Sequence, residues 1–467
     1  MAQPSFPTFW RSNLITALLF FCILCHTAKA SGEWVRRYSG PSGDTANAIG
    51  VDGRGNVYVT GFSTLDFNKS DYATIKYDAN GSQKWVIRYN GFGMNIANAI
   101  AVDSCGNVHV TGKSWGYGPN SNYDYATIKY DTNGNQQWVR RYNGPAKYAD
   151  GAIGIALDGR GNVYVTGSSY GVASKLDYAT IKYDTNGNPQ WVRRYNGPAN
   201  NADEAVALAV DFEGNVYVTG NSEAKNPNYN YDYATIKYDT NGNRKWVKRY
   251  NANILSNSEH SHEEAKSIAV DSSGNVYVTG RSMIMIPMSR SINKYATIKY
   301  DTNGKPIWVK QFETRSSANT PKAIGVDRSG SVYVTGNFSV GNELYPDYLI
   351  IKYDKDGHEG WTRLYNGPVN GSDVPSAMAV DRAANVYVTG RSFGYGYNDD
   401  YATVKYDTKG NRIWVRRYEG PGDPPNYGDQ ANALAVDRSG NVFVTGFSVG
   451  TGTSSDYATV KYGVDGN

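Results

Sequence analysis

The sequence predicts an all-β fold in which eight similar four-stranded units form a ring, the architecture of a β-propeller. A segment close to DYATIKYDTNGNQQWVRRYNGP recurs along the chain, and each copy belongs to a unit with four short β-like runs. Eight tryptophans mark the units at spacings of 51 to 62 residues: Trp34, Trp85, Trp138, Trp191, Trp246, Trp308, Trp361 and Trp414. A period in this range indicates supersecondary units that bury their hydrophobic faces only against one another.

The second unit shows the four elements clearly. Its predicted strands, called A to D, are Ala99–Val102, Val108–Thr111, Tyr125–Tyr130 and Trp138–Tyr142. These runs are rich in β-branched and aromatic residues and are bounded by Gly, Asn and Asp, which is typical of short strands joined by turns. Four such strands per unit, repeated around the chain, indicate propeller blades of four antiparallel strands.

The connections between strands fall into constant and variable sets. The Gly that ends strand B follows the Asp that ends strand A by nine positions in all eight units, and the turn from strand C to the Trp of strand D is equally regular. The motifs D-x-x-G-N and D-T-N-G-N predict tight hairpins with a left-handed Gly. These A–B and C–D turns share one end of a blade, the constant face. The B–C and D–A loops share the other end, the variable face, where we expect binding.

Small residues occupy one position of strand A in every unit. We expect this strand to be innermost, because only small side chains fit where blades converge on the axis. The residues are Gly50, Ala101, Ala156, Ala209, Ala269, Gly325, Ala379 and Ala435.

Ring closure is predicted from the two ends of the repeat array. The first element, Trp34–Tyr38, is a strand D without a preceding strand C, and the last unit stops after strand C at Tyr457–Tyr462. The N-terminal strand is therefore expected to complete the last blade and to remove both open sheet edges.

The first thirty residues differ from the repeats. Arg11 precedes an apolar run from Leu14 to Leu24, and Ala28-Lys29-Ala30 has the form of a cleavage site. This pattern predicts a secretory signal peptide over residues 1–30, cleaved after Ala30, with a single propeller over residues 31–467. The apolar run is too short to span a bilayer, and no second apolar run is long enough to do so, so we expect no membrane span after signal removal.

Composition narrows the function classes further. Loss of Arg11 and Lys29 changes the formal charge from +4 to +2, and the basic residues are spread through the repeats, which does not favour nucleic acid. The mature chain has Cys105 alone, so an intramolecular disulfide is impossible. We expect a monomer that is secreted, periplasmic or held at the cell surface.

The unit A-V-D-x-x-G-N-V-Y-V-T-G … D-Y-A-T-I-K-Y-D-x-x-G-x-x-x-W resembles the SBBP β-propeller repeat family of exported microbial proteins. The resemblance covers residues 31–467 and implies a propeller and export but no particular activity. Its name implies seven blades, whereas eight units are counted here. A weaker resemblance, on Asp131, Gly134 and Trp138, is to the eight-bladed tryptophan-docked quinoproteins. Their enzymes use a vicinal cysteine pair that this chain lacks, so we expect no quinone or other cofactor.

Three repeated motifs admit a chemical and a structural interpretation. G-x-S-x-G occurs around Ser114, Ser169, Ser392 and Ser448, but no helix follows it, so a nucleophile elbow is not favoured. D-T-N-G-N has one carboxylate, which favours a turn over a calcium loop. One lysine per strand C is interpreted as a structural, paired residue. These are Lys76, Lys129, Lys182, Lys237, Lys299, Lys352, Lys405 and Lys461.

The fifth unit departs most from the others. Its long D–A loop contains His260 and His262, and its long B–C loop contains Met283, Ile284, Met285, Ile286 and Met288. Both loops are expected on the variable face, side by side. The apolar run favours a protein-contact patch. His-x-His beside Met-x-Met leaves a copper-type metal site as a weaker alternative. A third interpretation is that the two loops pack on themselves and have no binding role.

The variable loops are rich in aromatic residues among Asn and Gly, a composition found on recognition surfaces. The candidates are Trp115, Tyr117, Tyr123, Tyr170, Tyr229, Tyr231, Tyr345, Tyr395, Tyr397 and Tyr427. The alternative is that they cover blade ends. We expect a non-catalytic module that binds a protein or a polysaccharide. The competing hypothesis is a lyase- or glycosidase-like enzyme on this face, with scattered candidate carboxylates at Asp66, Glu223, Glu343, Asp399 and Asp400.

Overall fold

The computed structural model describes residues 33–66, 68–116, 122–225, 231–252, 260–285, 292–314, 319–339, 345–422, 428–452 and 454–466, with the side chains of His260 and Met285 left out. Residues 1–30, Tyr117, Tyr229, Ile286, Met288, Glu343 and Tyr427 lie outside this description. Within these ranges no helix is long and apolar enough to cross a membrane.

The described residues form 32 strands in eight four-stranded sheets, the blades I to VIII. Blades I to IV consist of β2 (Asp44–Val51), β3 (Val57–Asp66), β4 (Lys69–Tyr77) and β5 (Gln83–Tyr89); β6 (Asn95–Val102), β7 (Val108–Trp115), β8 (Tyr123–Tyr130) and β9 (Gln136–Tyr142); β10 (Asp150–Leu157), β11 (Val163–Tyr170), β12 (Leu176–Tyr183) and β13 (Pro189–Tyr195); β14 (Asp203–Val210), β15 (Val216–Glu223), β16 (Tyr231–Tyr238) and β17 (Arg244–Tyr250).

Blades V to VIII consist of β18 (His260–Val270), β19 (Val276–Met285), β20 (Ile292–Tyr300) and β21 (Pro306–Thr314); β22 (Thr320–Val326), β23 (Val332–Phe338), β24 (Asp347–Tyr353) and β25 (Glu359–Tyr365); β26 (Asp373–Val380), β27 (Val386–Phe393), β28 (Asp399–Tyr406) and β29 (Arg412–Tyr418); β30 (Gln430–Val436), β31 (Val442–Val449), β32 (Ser455–Tyr462) and β1 (Trp34–Tyr38). The predicted eight-bladed all-β propeller is confirmed.

The N-terminal strand closes the ring as predicted. β1 pairs antiparallel with β32, with Trp34 opposite Lys461 and Tyr38 opposite Tyr457. Trp34 is buried among residues of blades VIII and I. The innermost strands contact one another in sequence around the axis, from β2 to β30 and back to β2. The small residue of strand A is a packing requirement, since a Cβ on Gly50 would lie 2.8 Å from a methyl of Val102 in the next blade.

The strands extend further toward the variable face than their composition indicates. Strand A of blade II begins at Asn95 rather than Ala99, and strand B ends at Trp115 rather than Thr111. The extension of strand A carries a bulge between Ala97 and Ala99, and a register shift recurs at this place in strand A of every blade. The extra residue interrupts the alternation that marks a strand in a sequence, which is why the prediction was too short.

Adjacent blades are joined by the repeat Trp and Lys, which share one acceptor in the next blade. Trp138 Nε1 and Lys129 Nζ both donate to the carbonyl of Thr185, at 3.3 and 3.1 Å. Trp34 and Lys461 donate to the carbonyl of Ala79 in the same way across the closure. The repeated lysines are therefore structural, as predicted, but their partner is a backbone carbonyl and not a carboxylate.

Turn glycines on the constant face serve both conformation and packing. Gly187 has φ +79°, and a Cβ there would lie 2.6 Å from Trp138 of the preceding blade. The carboxylate of the turn Asp is occupied by local donors: Asp131 Oδ1 accepts hydrogen bonds from the backbone N–H groups of Asn133 and Asn135. The turn interpretation of D-T-N-G-N is thus supported. Blade VII departs from the rule, because Ala384 takes the glycine position with φ 61°.

Beneath the variable face, an Arg–Asp–Ser–Tyr network ties blades I to IV, VII and VIII internally and to the preceding blade. Arg141 of strand D forms a 2.8 Å ion pair with the nearly buried Asp124 of strand C and donates to Ser114 Oγ at 2.7 Å. It also donates to Tyr89 of the preceding blade. Equivalent ion pairs are Arg37–Asp456, Arg88–Asp71, Arg194–Asp177, Arg249–Asp232 and Arg417–Asp400. The serines of G-x-S-x-G are buried members of this network, which explains the motif without a nucleophile.

Candidate ligand-binding face

A cleft of about 640 Å³ opens on the variable face between blades VI and VII. Tyr345 lines it from the B–C loop of blade VI, Asn370 from the following D–A loop, and Tyr395 and Tyr397 from the B–C loop of blade VII. The structure thus brings together three of the aromatic residues singled out in the sequence. All three are largely exposed, at 56%, 79% and 77% for Tyr345, Tyr395 and Tyr397.

The loop of blade VII holds its tyrosines in a defined turn. The N–H of Gly394 donates to the carbonyl of Asn398 at 2.8 Å. Tyr397 has φ 59°, a left-handed conformation that a bulky side chain adopts only when its surroundings impose it. Its ring makes an edge contact with Phe393 at 6.5 Å between centroids. The hydrogen-bonded turn and the contact with Phe393 therefore hold the loop in a conformation that exposes the tyrosine rings to solvent.

Polar groups lie at the inner side of the same cleft. Arg391 at the variable-face end of β27 and Asp399 at the start of β28 both line it, and Arg391 Nη1 lies 2.8 Å from Asp399 Oδ2. Exposed aromatic faces beside a charged donor and acceptor suit a ligand that has apolar faces and hydroxyl edges. Arg391 and Phe393 were missed in the sequence, although T-G-R-S differs from T-G-S-S at the same place in blade III.

Other predicted aromatics lie at other blade junctions and not in this cleft. Trp115 and Tyr123 of blade II pack edge to face at 5.0 Å. Tyr170 contacts Tyr148, and both line a second cleft of about 530 Å³ with Val172. Tyr148 is 62% exposed and was missed, because it follows strand D rather than strand B. Aromatic clefts therefore recur around the rim of the variable face.

The described parts of the divergent segments of blade V are strand extensions. β18 and β19 pair as far as His260 opposite Met285 and His262 opposite Met283, so the two segments lie side by side as expected. The side chains of Met283 and Ile284 are partly buried. In the described residues the added length is paired backbone, which the long spacing alone does not distinguish from a loop.

His262 already has protein partners. Its Nε2 lies 3.1 Å from Glu264 Oε1, and Tyr231 packs edge-on against its ring at 5.4 Å. Among the described residues, no group of three or more His, Cys, Asp or Glu side chains is placed to hold a metal ion. The candidate His-x-His metal site depends on His260, whose side chain lies outside the description.

The described candidate catalytic carboxylates are spread over three blades. Asp66 is in blade I, Glu223 in blade IV, and Asp399 and Asp400 in blade VII. Asp400 is buried against Arg417 at 2.6 Å. Glu223 accepts a 2.6 Å hydrogen bond from Asn201. Among the described lining residues of the cleft, Asp399 alone carries a carboxylate.

The chain carries the repeat that the sequence resembles. The family model described as the SBBP beta-propeller repeat matches residues 33–68, 137–172, 190–226, 264–283, 307–337 and 413–451. These segments extend around the ring from β1 to β31, so the chain contains beta-propeller repeats of the SBBP family.

Named relatives are distant. The chain is 22% identical over 346 residues to an uncharacterized WD repeat-containing protein, L264, of Acanthamoeba polyphaga mimivirus, covering 62% of this chain and 24% of that protein. It thus spans about a quarter of that relative's length.

Solved structures with a similar fold include the polysaccharide lyase Uly1, at TM-score 0.46, 10% identity and coverage of 79% of this chain and 90% of that one. Another is the beta-propeller domain of the Trilobed protease from Pyrococcus furiosus, at TM-score 0.42, 9% identity and coverage of 77% and 92%.

Proposed function

We propose that this protein is an exported, non-catalytic propeller that binds a polysaccharide on its variable face. The observation that carries the proposal is the cleft of Tyr345, Tyr395 and Tyr397, in which exposed tyrosine faces lie beside Arg391 and Asp399. Pyranose rings present an apolar face that stacks on tyrosine and hydroxyl groups that bond to charged side chains.

The chemistry of the cleft favours a non-catalytic role over a glycosidase-like enzyme, and the lyase-like alternative is tested by the assay below. Glycoside hydrolysis uses two carboxyl groups flanking the scissile bond, and Asp399 is the sole described carboxylate that lines the cleft. A protein partner at blade V is the less favoured alternative, because Met283 and Ile284 are already covered in part by the paired strands.

The test is a binding screen of the mature chain against soluble polysaccharides by affinity gel electrophoresis, followed by calorimetry. Replacing both Tyr395 and Tyr397 with Ala should weaken binding at least about tenfold, since each stacked ring contributes about 1 kcal/mol. Phe212→Ala is the matched control, because Phe212 is 89% exposed in an A–B turn on the opposite face. Equal loss in the control, or no retardation by any polysaccharide, contradicts the proposal. Release of reducing ends during incubation contradicts its non-catalytic part.

Export is tested separately on the full chain. Expression followed by cell fractionation and N-terminal sequencing should recover a protein that starts at Ser31 outside the cytoplasm. An intact N-terminus in the cytoplasmic fraction contradicts this part of the proposal.

A further inference from the structure

The second aromatic cleft, of about 530 Å³, lies between blades II and III and is built from the same kinds of loop as the first. Asn122 lines it from the B–C loop of blade II, and Tyr148 from the D–A loop that follows. Tyr170 and Lys175 line it from the end of β11 and the B–C loop of blade III. The first cleft is lined by the corresponding three loops of blades VI and VII. The two are called here the blade III cleft and the blade VII cleft.

The D–A loops of the two clefts have the same sequence form and the same turn. Residues 143–150 and 366–373 both read N-G-P-x-x-x-x-D. The fifth residue of each loop is left-handed, with φ 55° at Lys147 and φ 51° at Asn370. In each loop the side chain of the final Asp accepts a hydrogen bond from the N–H of the loop glycine. One backbone arrangement therefore forms this wall of both clefts.

The B–C loops of the two clefts also match. The N–H of Gly171 donates to the carbonyl of Lys175 at 2.9 Å, and the N–H of Gly394 donates to the carbonyl of Asn398 at 2.8 Å. A further D–A loop of the same form precedes blade IV, but the B–C loop of blade IV is two residues longer. Blades III and VII are thus the blades whose sequences combine both loop forms.

The two clefts lie on opposite sides of the ring. The innermost strands contact one another in chain order around the axis, and blades III and VII are four blades apart in a ring of eight. This separation is half a turn. A short oligosaccharide in one cleft therefore cannot reach the other, because the axis and the intervening blades lie between them.

The side chains of the blade III cleft suit a saccharide. The exposed ring of Tyr148 is held by its edge contact with Tyr170, at 5.9 Å between centroids. Val172 adds exposed apolar surface, and Lys175 and Asn122 offer N–H donors to hydroxyl groups. An exposed aromatic face beside polar donors is the combination that also characterises the blade VII cleft.

We propose that the blade III cleft is a second saccharide site, independent of the first, so that one molecule of this protein holds two polysaccharide chains and cross-links them. This inference rests on the proposed function and extends it from one site to two. Val172 and Ser174 occupy the positions of Tyr395 and Tyr397, so the blade III cleft should bind more weakly. Two sites on one rigid body also raise the avidity for a surface that carries many copies of the ligand.

The first experiment counts the oligosaccharides that bind to the full mature chain. Native mass spectrometry is used with cellotetraose, laminaritetraose, chitotetraose and mannotetraose as probes, and at least one probe should give two bound molecules at saturation. Tyr148→Ala with Lys175→Ala should weaken one of the two binding steps at least about tenfold and leave one molecule bound. Tyr148→Phe keeps the ring and should keep two. Phe212→Ala, on the opposite face, is the matched control and should also keep two.

The second experiment measures cross-linking. Light scattering should rise when wild type is mixed with the polysaccharide from which the bound probe derives, and excess polysaccharide should reverse the rise. Tyr148→Ala with Lys175→Ala should bind this polysaccharide without the rise in scattering. Sedimentation verifies that the free protein is a monomer, because a dimer of one-site molecules would also cross-link. Melting curves verify that each variant is folded.

The outcomes separate the second site from the proposed function. One tetrasaccharide bound to wild type, or two still bound after Tyr148→Ala with Lys175→Ala, overturns the second site while the proposed function stands. Loss of one molecule in Phe212→Ala also overturns it, because the effect would then be non-specific. Two molecules still bound after Tyr395→Ala with Tyr397→Ala overturn the proposed function at the blade VII cleft. Binding of none of the probes overturns both proposals.

Discussion

The stability of this protein should fall as the pH rises from about 5 to about 9, and replacing Glu263 with Gln should abolish much of that fall. Glu263 is fully buried in β18 at the position held by Asp or Asn in the other blades. In blade V the network arginine is replaced by Gln311 and its aspartate partner by Lys294, which are joined at 3.0 Å. In blade IV, burial raises the pKa of the equivalent Asp203 to about 6, and the charge of Arg249 works against that rise.

Burial without that arginine raises the pKa of Glu263 to about 8, and the nearby charge of Asp232 adds to the rise. The folded protein therefore keeps a proton on Glu263 that the unfolded chain releases at its ordinary pKa of 4.5. Stability from this group is complete below about pH 4.5 and is lost as the pH rises through about 8. The difference in pKa corresponds to about 4 to 5 kcal/mol, or about 5 °C in Tm for a chain of this length.

The assay is thermal melting of wild type and Glu263→Gln from about pH 5 to about pH 9, with the difference in Tm plotted against pH. The Tm of the variant minus the Tm of wild type should increase with pH up to about pH 9, because glutamine does not ionise. This increase does not depend on the value of the difference at low pH. Asp203→Asn is the matched control. Burial raises the pKa of Asp203 to about 6, so its difference should level off near pH 7.

A second variant tests the cause. Gln311→Arg with Lys294→Asp restores the pair of the other blades and should flatten the pH dependence with Glu263 in place. A difference between wild type and Glu263→Gln that is constant from about pH 5 to about pH 9 would refute the reasoning, because Glu263 would then be ionised throughout.

Two further predictions concern closure and turn strain. Deleting Trp34–Tyr38 removes a buried Trp and leaves Asp456 without Arg37. The free energy of unfolding should therefore fall by about 5 kcal/mol or more, and light scattering should show aggregation. A truncated chain that melts like the mature chain contradicts the closure. Ala384→Gly should raise stability by about 1 kcal/mol in denaturant unfolding, because φ 61° is strained for Ala. The neighbouring Ala383→Gly should give no gain, and equal effects of both changes would contradict the strain.

Much of the fold was predictable because its determinants are local and repeated eight times. The Trp spacing, the D-x-x-G-N turns and the unmatched strand D at Trp34 each predicted an element that the structure contains. The bulge in strand A was not predictable, since one extra residue such as Lys322 shifts the apolar alternation without a sequence signal of its own.

The candidate site was predictable in part. The tyrosines of the variable loops were identified by composition, but composition could not tell that Tyr345 and Tyr395, about fifty residues apart in sequence, share one cleft while Tyr170 lies in another. That depends on which loops meet between neighbouring blades. Tyr345 and Arg391 lie in different blades, so their proximity in the cleft follows from the ring and not from sequence spacing.

The carbonyl shared by each Trp and Lys has a consequence for how such a chain can vary. Blade II recognises the backbone of Thr185 in blade III, and blade VIII recognises Ala79 in blade I, through the same two donors. Because the acceptor is a main-chain atom, neighbouring units need no matched side chains at this contact. A unit that is duplicated or exchanged within the gene can therefore form the same contact with its new neighbour. The loops of one blade can change in sequence while the contacts between blades remain interchangeable.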